Sequence, residues 1–298
     1  MNLDTLSFVA IAPSTGAAMT AVTGDPANIR NAAPGSMVRL LGAWTYSQLL
    51  GITQITWPSG HDLVRGFRYR NLATQVTNKV PRGCLSSFRG QDPLNVTQVG
   101  SATSGDVEIC QMLFWYEDLP GVDAHLLDMP SLNMRGRNIL TIEDSITTAG
   151  NGVGYSGARA LNAGSDLLKA NTEYAIIGAQ VGAACGGLTV RGVDFGGLRI
   201  SFPGDPNIDP SAAANFYPDL SEAYGFPCIP VFNSANRAGT FVEAVGNENN
   251  VAVPFNLFLV ELDQPMQANI VIPDSTAVAV GNPPPQRSNL GHYQHPAK

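Results

Sequence analysis

The sequence predicts an all-β chain of two tandem sandwiches, and three observations carry that prediction. The first is a long-range repeat. Leu40–Thr56 (LLGAWTYSQLLGITQIT) returns at Ile176–Gly192 (IIGAQVGAACGGLTVRG), with Gly42/Gly178, Ala43/Ala179, Gly51/Gly187 and Thr53/Thr189 identical at an offset of 136. Self-similarity at a fixed spacing is the signature of a repeated architecture. The second is composition: 31 Gly, 21 Pro and only 14% charged residues suit short strands joined by turns better than helical bundles. The third is length, since 298 residues divide into two domains of about 130 to 150.

The repeat recurs in order along both halves. Leu6, Phe8, Ser14, Thr15 and Gly16 face Leu140, Ile142, Thr148, Ala149 and Gly150 at offset 134. Cys84-Leu85 with Phe88 faces Cys228-Ile229 with Phe232 at offset 144. Asn95–Gly100 faces Phe241–Gly246 at offset 146, and Leu113-Phe114-Trp115, then Asp118 and Pro120, faces Phe258-Leu259-Val260, then Asp263 and Pro265, at offset 145. Two diverged copies of one fold are expected: residues 1–130, residues 131–272, and a polar, proline-rich tail over 273–298.

Element by element, Leu3–Ala12 reads as a strand before a Gly/Ala/Pro-rich stretch that runs to Gly35. Met37–Leu50 and Ile52–Trp57 follow as strands, the second stopped by Pro58-Ser59-Gly60. Leu63–Tyr69 reads as a strand with Leu63, Phe67 and Tyr69 inward, although Arg65 falls on that same face. Asn95–Val99 and Val107–Tyr116 make a hairpin across small turn residues. Val122–Arg137 is the connector, interrupted at Pro130. The second copy opens with Asn138–Ile146, and Ser156–Ala170 suits a short helix. Strands are expected at Glu173–Ala183, Gly187–Val193, Gly197–Phe202, Thr240–Val245 and Val251–Leu262, with a further one at Gln267–Ile272. Between Phe202 and Cys228 the second copy is longer by 8 residues, an insertion read as loop with a helical turn at Leu220–Tyr224. Six to eight strands per copy describe a Greek-key sandwich, and a jelly roll of eight strands needs about this length.

Charge and motif bound the function. A net charge of −7 without a basic run argues against neutralising nucleic-acid phosphates. No window approaches the ~18 apolar residues of a membrane-spanning helix. The start, MNLDTLSFVAIAPSTGAA, lacks the positive region of a secretory signal. Cys84, Cys110, Cys185 and Cys228 have no framework spacing and read as buried thiols. Gly152–Gly157 satisfies G-x-G-x-x-G, yet no strand–helix–strand alternation surrounds it, so it reads as a glycine-rich loop. His61, His125, His292 and His295 supply no metal-binding spacing, since the one H-x-x-H pair falls in the tail. Paired carboxylates occur at Glu117/Asp118 and Glu143/Asp144, and the matched Asp118 and Asp263, beside Pro120 and Pro265, read as strand-ending turn chemistry rather than acid–base groups. Arg68 and Arg70 alternate with Phe67 and Tyr69, which places the arginines on a solvated or interface-paired strand face. Trp44, Trp57 and Trp115 are expected in the cores. No catalytic, cofactor-binding or metal-binding residue is assigned, and no cofactor is expected.

A charge-poor pair of fused β-sandwiches over residues 1–272 resembles the double jelly-roll major capsid proteins of tailless icosahedral viruses, small bacteriophages among them. The resemblance implies a homotrimer whose six barrels form a pseudo-hexagonal block in a virion shell made in the host cytoplasm. The implied partners are neighbouring trimers, other virion proteins and an internal membrane, with no sequence-specific contact to nucleic acid. Loops such as Pro203–Gly225 would then crown the outer face. Charge depletion suits a surface that meets other protein. The alternative from another class is a carbohydrate-binding or carbohydrate-cleaving double sandwich, using Tyr155, Phe216, Tyr217 and Tyr224 for stacking with Asp219 and Glu222 as the acidic pair.

Overall fold

Strand pairing follows from where the apolar and β-branched runs fall. A computed structural model describes residues 1–11, 17–47, 51–60, 62–71, 88–99, 107–148, 154–161, 168–246 and 250–263. Within the compact unit Met1–Leu262, the first part of the chain forms β1 (Asn2–Ile11), β2 (Ala17–Ala18), β3 (Thr20–Ala21), β4 (Val38–Tyr46), β5 (Gly51–Thr56), β6 (Phe67–Asn71), β7 (Asn95–Val99) and β8 (Val107–Tyr116). The second part forms β9 (Leu126–Leu127), α1 (Met129–Arg135), β10 (Gly136–Thr147), β11 (Arg159–Ala160), β12 (Glu173–Val181), β13 (Gly187–Arg191) and β14 (Arg199–Phe202). It continues through α2 (Pro210–Ala214), α3 (Phe216–Tyr224), β15 (Ile229–Asn233), β16 (Phe241–Val245) and β17 (Ala252–Leu262).

The chain is all-β in character, and its strands make four antiparallel sheets. Two draw on the first part, ordered β3-β1-β8-β4 and β2-β7-β5-β6. Two draw on the second, ordered β10-β17-β12-β15-β9 and β11-β16-β13-β14. Phe88 bridges Val38 at the free side of β4, as Phe232 of β15 pairs with Tyr174 of β12. Each central pair carries one irregularity: between Leu40 and Gly42 where β4 meets β8, and between Ile176 and Gly178 where β12 meets β17. Leu40 faces Phe114 and Gly42 faces Leu113; Ile176 faces Leu259 and Gly178 faces Phe258.

Two expected matches slip. Leu6 faces Met112, and the residue facing Leu257, 145 positions beyond Met112, is Ile142 rather than Leu140. Thr53 points toward β4 of the first part, with its hydroxyl 2.8 Å from Thr45 Oγ1 and donating to Gln98 Oε1 at 2.5 Å. Thr189 lies between the core residues Leu188 and Val190 and faces the other way. A slip of one residue turns a side chain to the opposite face of a sheet, so identity at positions 53 and 189 does not mean like surroundings.

Several boundaries also change. Leu63 and Arg65 occupy an exposed turn ahead of β6 instead of its inner face. Pro130 does not interrupt structure but lies in the first turn of α1, where its missing N–H costs nothing, with Asp128 Oδ1 accepting from Ser131 N at 2.9 Å. Arg159–Ala160 is a strand, not part of a helix over 156–170. The insertion before Cys228 holds two helices, α2 and α3, where one turn was expected. The strand at 267–272 and the tail lie outside the described residues.

The cores show what the insertion does. All ten residues of β8 are buried, and so are nine of the ten in β1. Leu6, Phe8, Met112 and Phe114 belong to a core cluster of the first part, while Leu3, Val9, Ile109, Leu113 and Trp115 belong to a cluster shared with the second part. Trp44 meets Phe216 of α3 edge-on at 6.1 Å, and Trp115 lies 4.2 Å from Phe226 while donating to Pro227 O at 2.9 Å. The sheet of β1, β8 and β4 is therefore covered on both faces. By contrast β10 keeps a solvated face, with Ile139, Thr141, Glu143, Ser145 and Thr147 exposed.

Candidate functional site

In a chain this poor in charge, an ionic group inside an apolar strand has to be paired, because an unpaired buried charge is costly. Asp4 interrupts β1, Glu243 sits in β16, and Arg199 opens β14. The fold brings them to the seam where β1 packs on β14.

Asp25 is the hub. Its carboxylate accepts from Ser7 N at 2.8 Å, from Tyr155 Oη at 2.6 Å and from Arg199 Nη1 at 3.2 Å. Arg199 also donates to Glu243 Oε2 at 2.9 Å, and its guanidinium stacks 3.9 Å above the Tyr155 ring. Arg191 reaches the other oxygen of Glu243 at 3.1 Å. Next to this group Arg30 Nε donates to Asp4 Oδ2 at 2.5 Å. The row extends across β1, β8 and β4: Gln111 donates to Ser7 Oγ at 3.0 Å and accepts from Trp44 Nε1 at 3.1 Å. Thr5 Oγ1 donates to Ser201 Oγ at 2.7 Å across the same seam.

Burial raises the Asp4 carboxyl to about 6, against the pull of Arg30. Burial also raises Asp25, opposed by the bonds from Tyr155 and Ser7. Shifted carboxyls near 6 are what acid–base catalysis uses, but here the named groups are spent on one another. Arginine between two carboxylates and over an aromatic ring makes a clamp between the two parts of the chain. An open depression of about 640 Å³, lined in part by Asn28, Arg30, Gln91 and Gly196, lies next to the Asp4–Arg30 pair.

The residues singled out in the sequence are dispersed. Phe216 and Tyr217 are buried, with Tyr217 Oη donating to Ser201 O at 3.0 Å, so neither offers a ring face to a sugar. Tyr155 lies in the seam, apart from exposed Asp219 and Glu222. Arg68 and Arg70 are exposed while Phe67 and Tyr69 pack inward, as the alternation predicts. Trp44, Trp57 and Trp115 are buried, and Cys110, Cys185 and Cys228 are buried free thiols. Asp144 pairs with Arg159 at 2.7 Å, and Glu117 accepts from Met37 N at 2.9 Å. His125 stands 3.6 Å from Glu173. His61, His292, His295, Cys84, Gly152 and Val153 lie outside the described residues. Among the described residues no three His, Cys, Asp or Glu side chains gather as a metal site, and no helix is long and apolar enough to cross a membrane.

The Asp25–Arg199–Glu243 clamp itself was missed by the sequence reading. The signal available for it was a lone charge inside an apolar strand, as at Asp4 in LDTLSFVAI and Glu243 in FVEAV.

No protein-family model matches the chain, and no curated protein matches it. Among solved structures the chain is similar to the PBSX exported protein XepA, at 9% identity over 87% of this chain and 88% of that one, with a TM-score of 0.26. It is also similar to the STIV MCP, at 10% identity over 90% of this chain and 100% of that one, with a TM-score of 0.19. Scores this low carry neither a fold assignment nor a function.

Proposed function

We propose that the chain is two jelly-roll sandwiches related by internal duplication, and that it serves as a structural virion protein, the major capsid protein of an icosahedral shell. The observation that carries the reading is the shared strand order. In the first part the eight successive strand positions are β1, β2, β4, β5, β6, Phe88, β7 and β8. Their sheets run first-eighth-third, closed by the sixth at Phe88, and second-seventh-fourth-fifth. The second part, with β10 to β17, repeats that order, places β15 sixth and carries its bulge at the matched glycine. This shared order supports reading each part as the double Greek key of a jelly roll.

The capsid role follows as a proposal from this brick-like build. Few charges and polar clusters spent on internal clamping suit repeated contacts in a closed assembly, not turnover. The assembling unit is a homotrimer of six sandwiches, the location the virion, and the partners neighbouring trimers, other virion proteins and an internal membrane. Negative-stain imaging of the expressed chain tests it: pseudo-hexagonal trimers or shells are expected, and a protein monomeric at every concentration overturns it. Of the four aromatics in the carbohydrate reading, Phe216 and Tyr217 are buried and offer no ring face to a sugar.

A further inference from the structure

Asp4 takes only one edge of the Arg30 guanidinium. Nε donates to Asp4 Oδ2 at 2.5 Å and Nη2 stands 3.5 Å from Oδ1, which leaves the Nη1 end of the fork. A guanidinium is planar, with donors along more than one edge, so a single carboxylate does not exhaust it. Asp4 is buried, while the Arg30 side chain keeps 32% of its surface exposed and lines the depression of about 640 Å³ beside the pair.

The rim of that depression is held by backbone. Ile29 N donates to Asp92 O at 2.8 Å, Gln91 N to Ile29 O at 3.0 Å and Leu94 N to Ala27 O at 3.1 Å. The stretch carrying Asn28, Arg30 and Asn31 is thereby fixed against the stretch carrying Gln91. Gln91 itself has a φ of 67°, which side chains other than glycine rarely adopt. Strain of this kind persists only where surrounding bonds over-determine it, and it concentrates at ligand sites. The wall at Pro120 and Val122 is set as tightly. Val122 N donates to Leu119 O at 3.1 Å, and a methyl group on Gly196 would collide with Val122 Cγ1.

The lining selects a chemistry. Asn28, Asn31 and Gln91 are exposed along it, and each amide offers a donor and an acceptor, the combination that neighbouring hydroxyls match. Pro120 and Val122 add apolar surface for C–H groups. Arg30 brings one cation already paired with Asp4, which suits a single carboxylate rather than a chain of phosphates. The described residues that line it include no aromatic ring, so a flat base has nothing to stack on. Its volume falls within the roughly 300–1,000 Å³ of small-molecule sites.

We propose that this depression binds a sugar acid: the carboxylate of the ligand takes the open edge of Arg30, and its hydroxyls take the amides of Asn28, Asn31 and Gln91. Asp4 acts from behind as a positioning residue that holds the guanidinium in its plane. The site shares no residue with the aromatic and acidic set of the carbohydrate reading, and it stands whether or not the chain builds a capsid.

The test is isothermal titration calorimetry of the full chain with glucuronic acid and N-acetylneuraminic acid, with glucose, acetate and inorganic phosphate as controls. At least one sugar acid is expected to saturate a single site. Each control is expected to bind about tenfold more weakly or worse, since each lacks either the carboxylate or the sugar hydroxyls. Arg30→Gln is expected to weaken the sugar acid about tenfold, as loss of a charge-assisted bond does. That variant leaves Asp4 without its partner, so a second one, Asn28→Ala/Gln91→Gly, changes exposed side chains only, and glycine suits the backbone at position 91. It is expected to weaken the sugar acid about threefold or more with an unchanged circular dichroism spectrum. Failure of both sugar acids to bind overturns the inference. So does acetate or phosphate binding as tightly as they do, or a folded second variant that keeps wild-type affinity. Trimers or shells that bind neither sugar acid remove this site and leave the capsid reading standing; a monomer that binds one does the reverse.

Discussion

Asp4 holds its carboxyl inside β1 with Arg30 against it, and Tyr116, Asp25 and the Arg199 backbone nearby. Its pKa rises from 3.8 to about 6 because burial disfavours the charged form more than Arg30 restores it. The folded state therefore keeps a proton that the unfolded chain has already lost. The associated stability is fully present below about pH 3.8 and is lost as pH rises through about 6. Asp25, also raised by burial, acts in the same direction. In urea titrations from pH 4 to 7, the Asp4→Asn chain is expected to lose less stability with rising pH than the wild type. Identical slopes for the two would contradict the assignment. The clamp around Arg199 differs in kind, because its arginine pairs with two carboxylates and removal of either leaves the guanidinium underpaired.

At the scale of elements, β8 and β17 hold like positions in their sheets with unlike surroundings. β8 is buried along its whole length; β17 alternates buried with exposed or half-exposed residues from Ala252 to Leu259. Continuous burial follows from cover on both faces and alternation from cover on one. The cover over β4 and β8 comes from α3 and the segment after it, which seat Phe216 against Trp44 and Phe226 against Trp115. Phe216 also lies 6.0 Å from Phe202 and 5.1 Å from Tyr217, ring to ring. Phe216→Ala is expected to cost about 3–5 kcal/mol through lost burial and the cavity left behind. The measurement is the urea midpoint at unchanged m-value; a shift of under about 1 kcal/mol would mean that α3 is not what holds the seam. Gly178 explains how the helices come this close, since a methyl group there would meet the Ala213 carbonyl.

For the molecule as a whole, Met1–Leu262 is one compact unit although its strands make two pairs of sheets. One core cluster runs from Leu3, Trp44 and Trp115 through Tyr174, Phe202 and Leu259, so the two parts share apolar burial. Shared burial makes unfolding cooperative. Calorimetry of the full chain is expected to show one transition with equal calorimetric and van't Hoff enthalpies. Two separated peaks would show sandwiches that merely sit side by side.

The sequence by itself determined much of the strand pattern, with Val107–Tyr116 at its observed bounds and Val38–Tyr46 inside the longer stretch Met37–Leu50, and it matched Gly42 with Gly178, although not the irregularity beside each. It also placed the alternation that sends Arg68 and Arg70 outward, because all of these are local: period, turn residues and composition act within a few positions. The sequence did not reveal that Thr53 and Thr189 face opposite ways, that Phe216 and Tyr217 are packing groups, or that Asp25, Tyr155, Arg199 and Glu243 converge. Those outcomes depend on which sheet lies against which, and residues 130 or 174 positions apart, as Tyr155 and Arg199 are from Asp25, leave no periodic trace. Only the tertiary structure could decide them, since the energy of a buried charge or a covered aromatic is set by the neighbour that arrives across the seam.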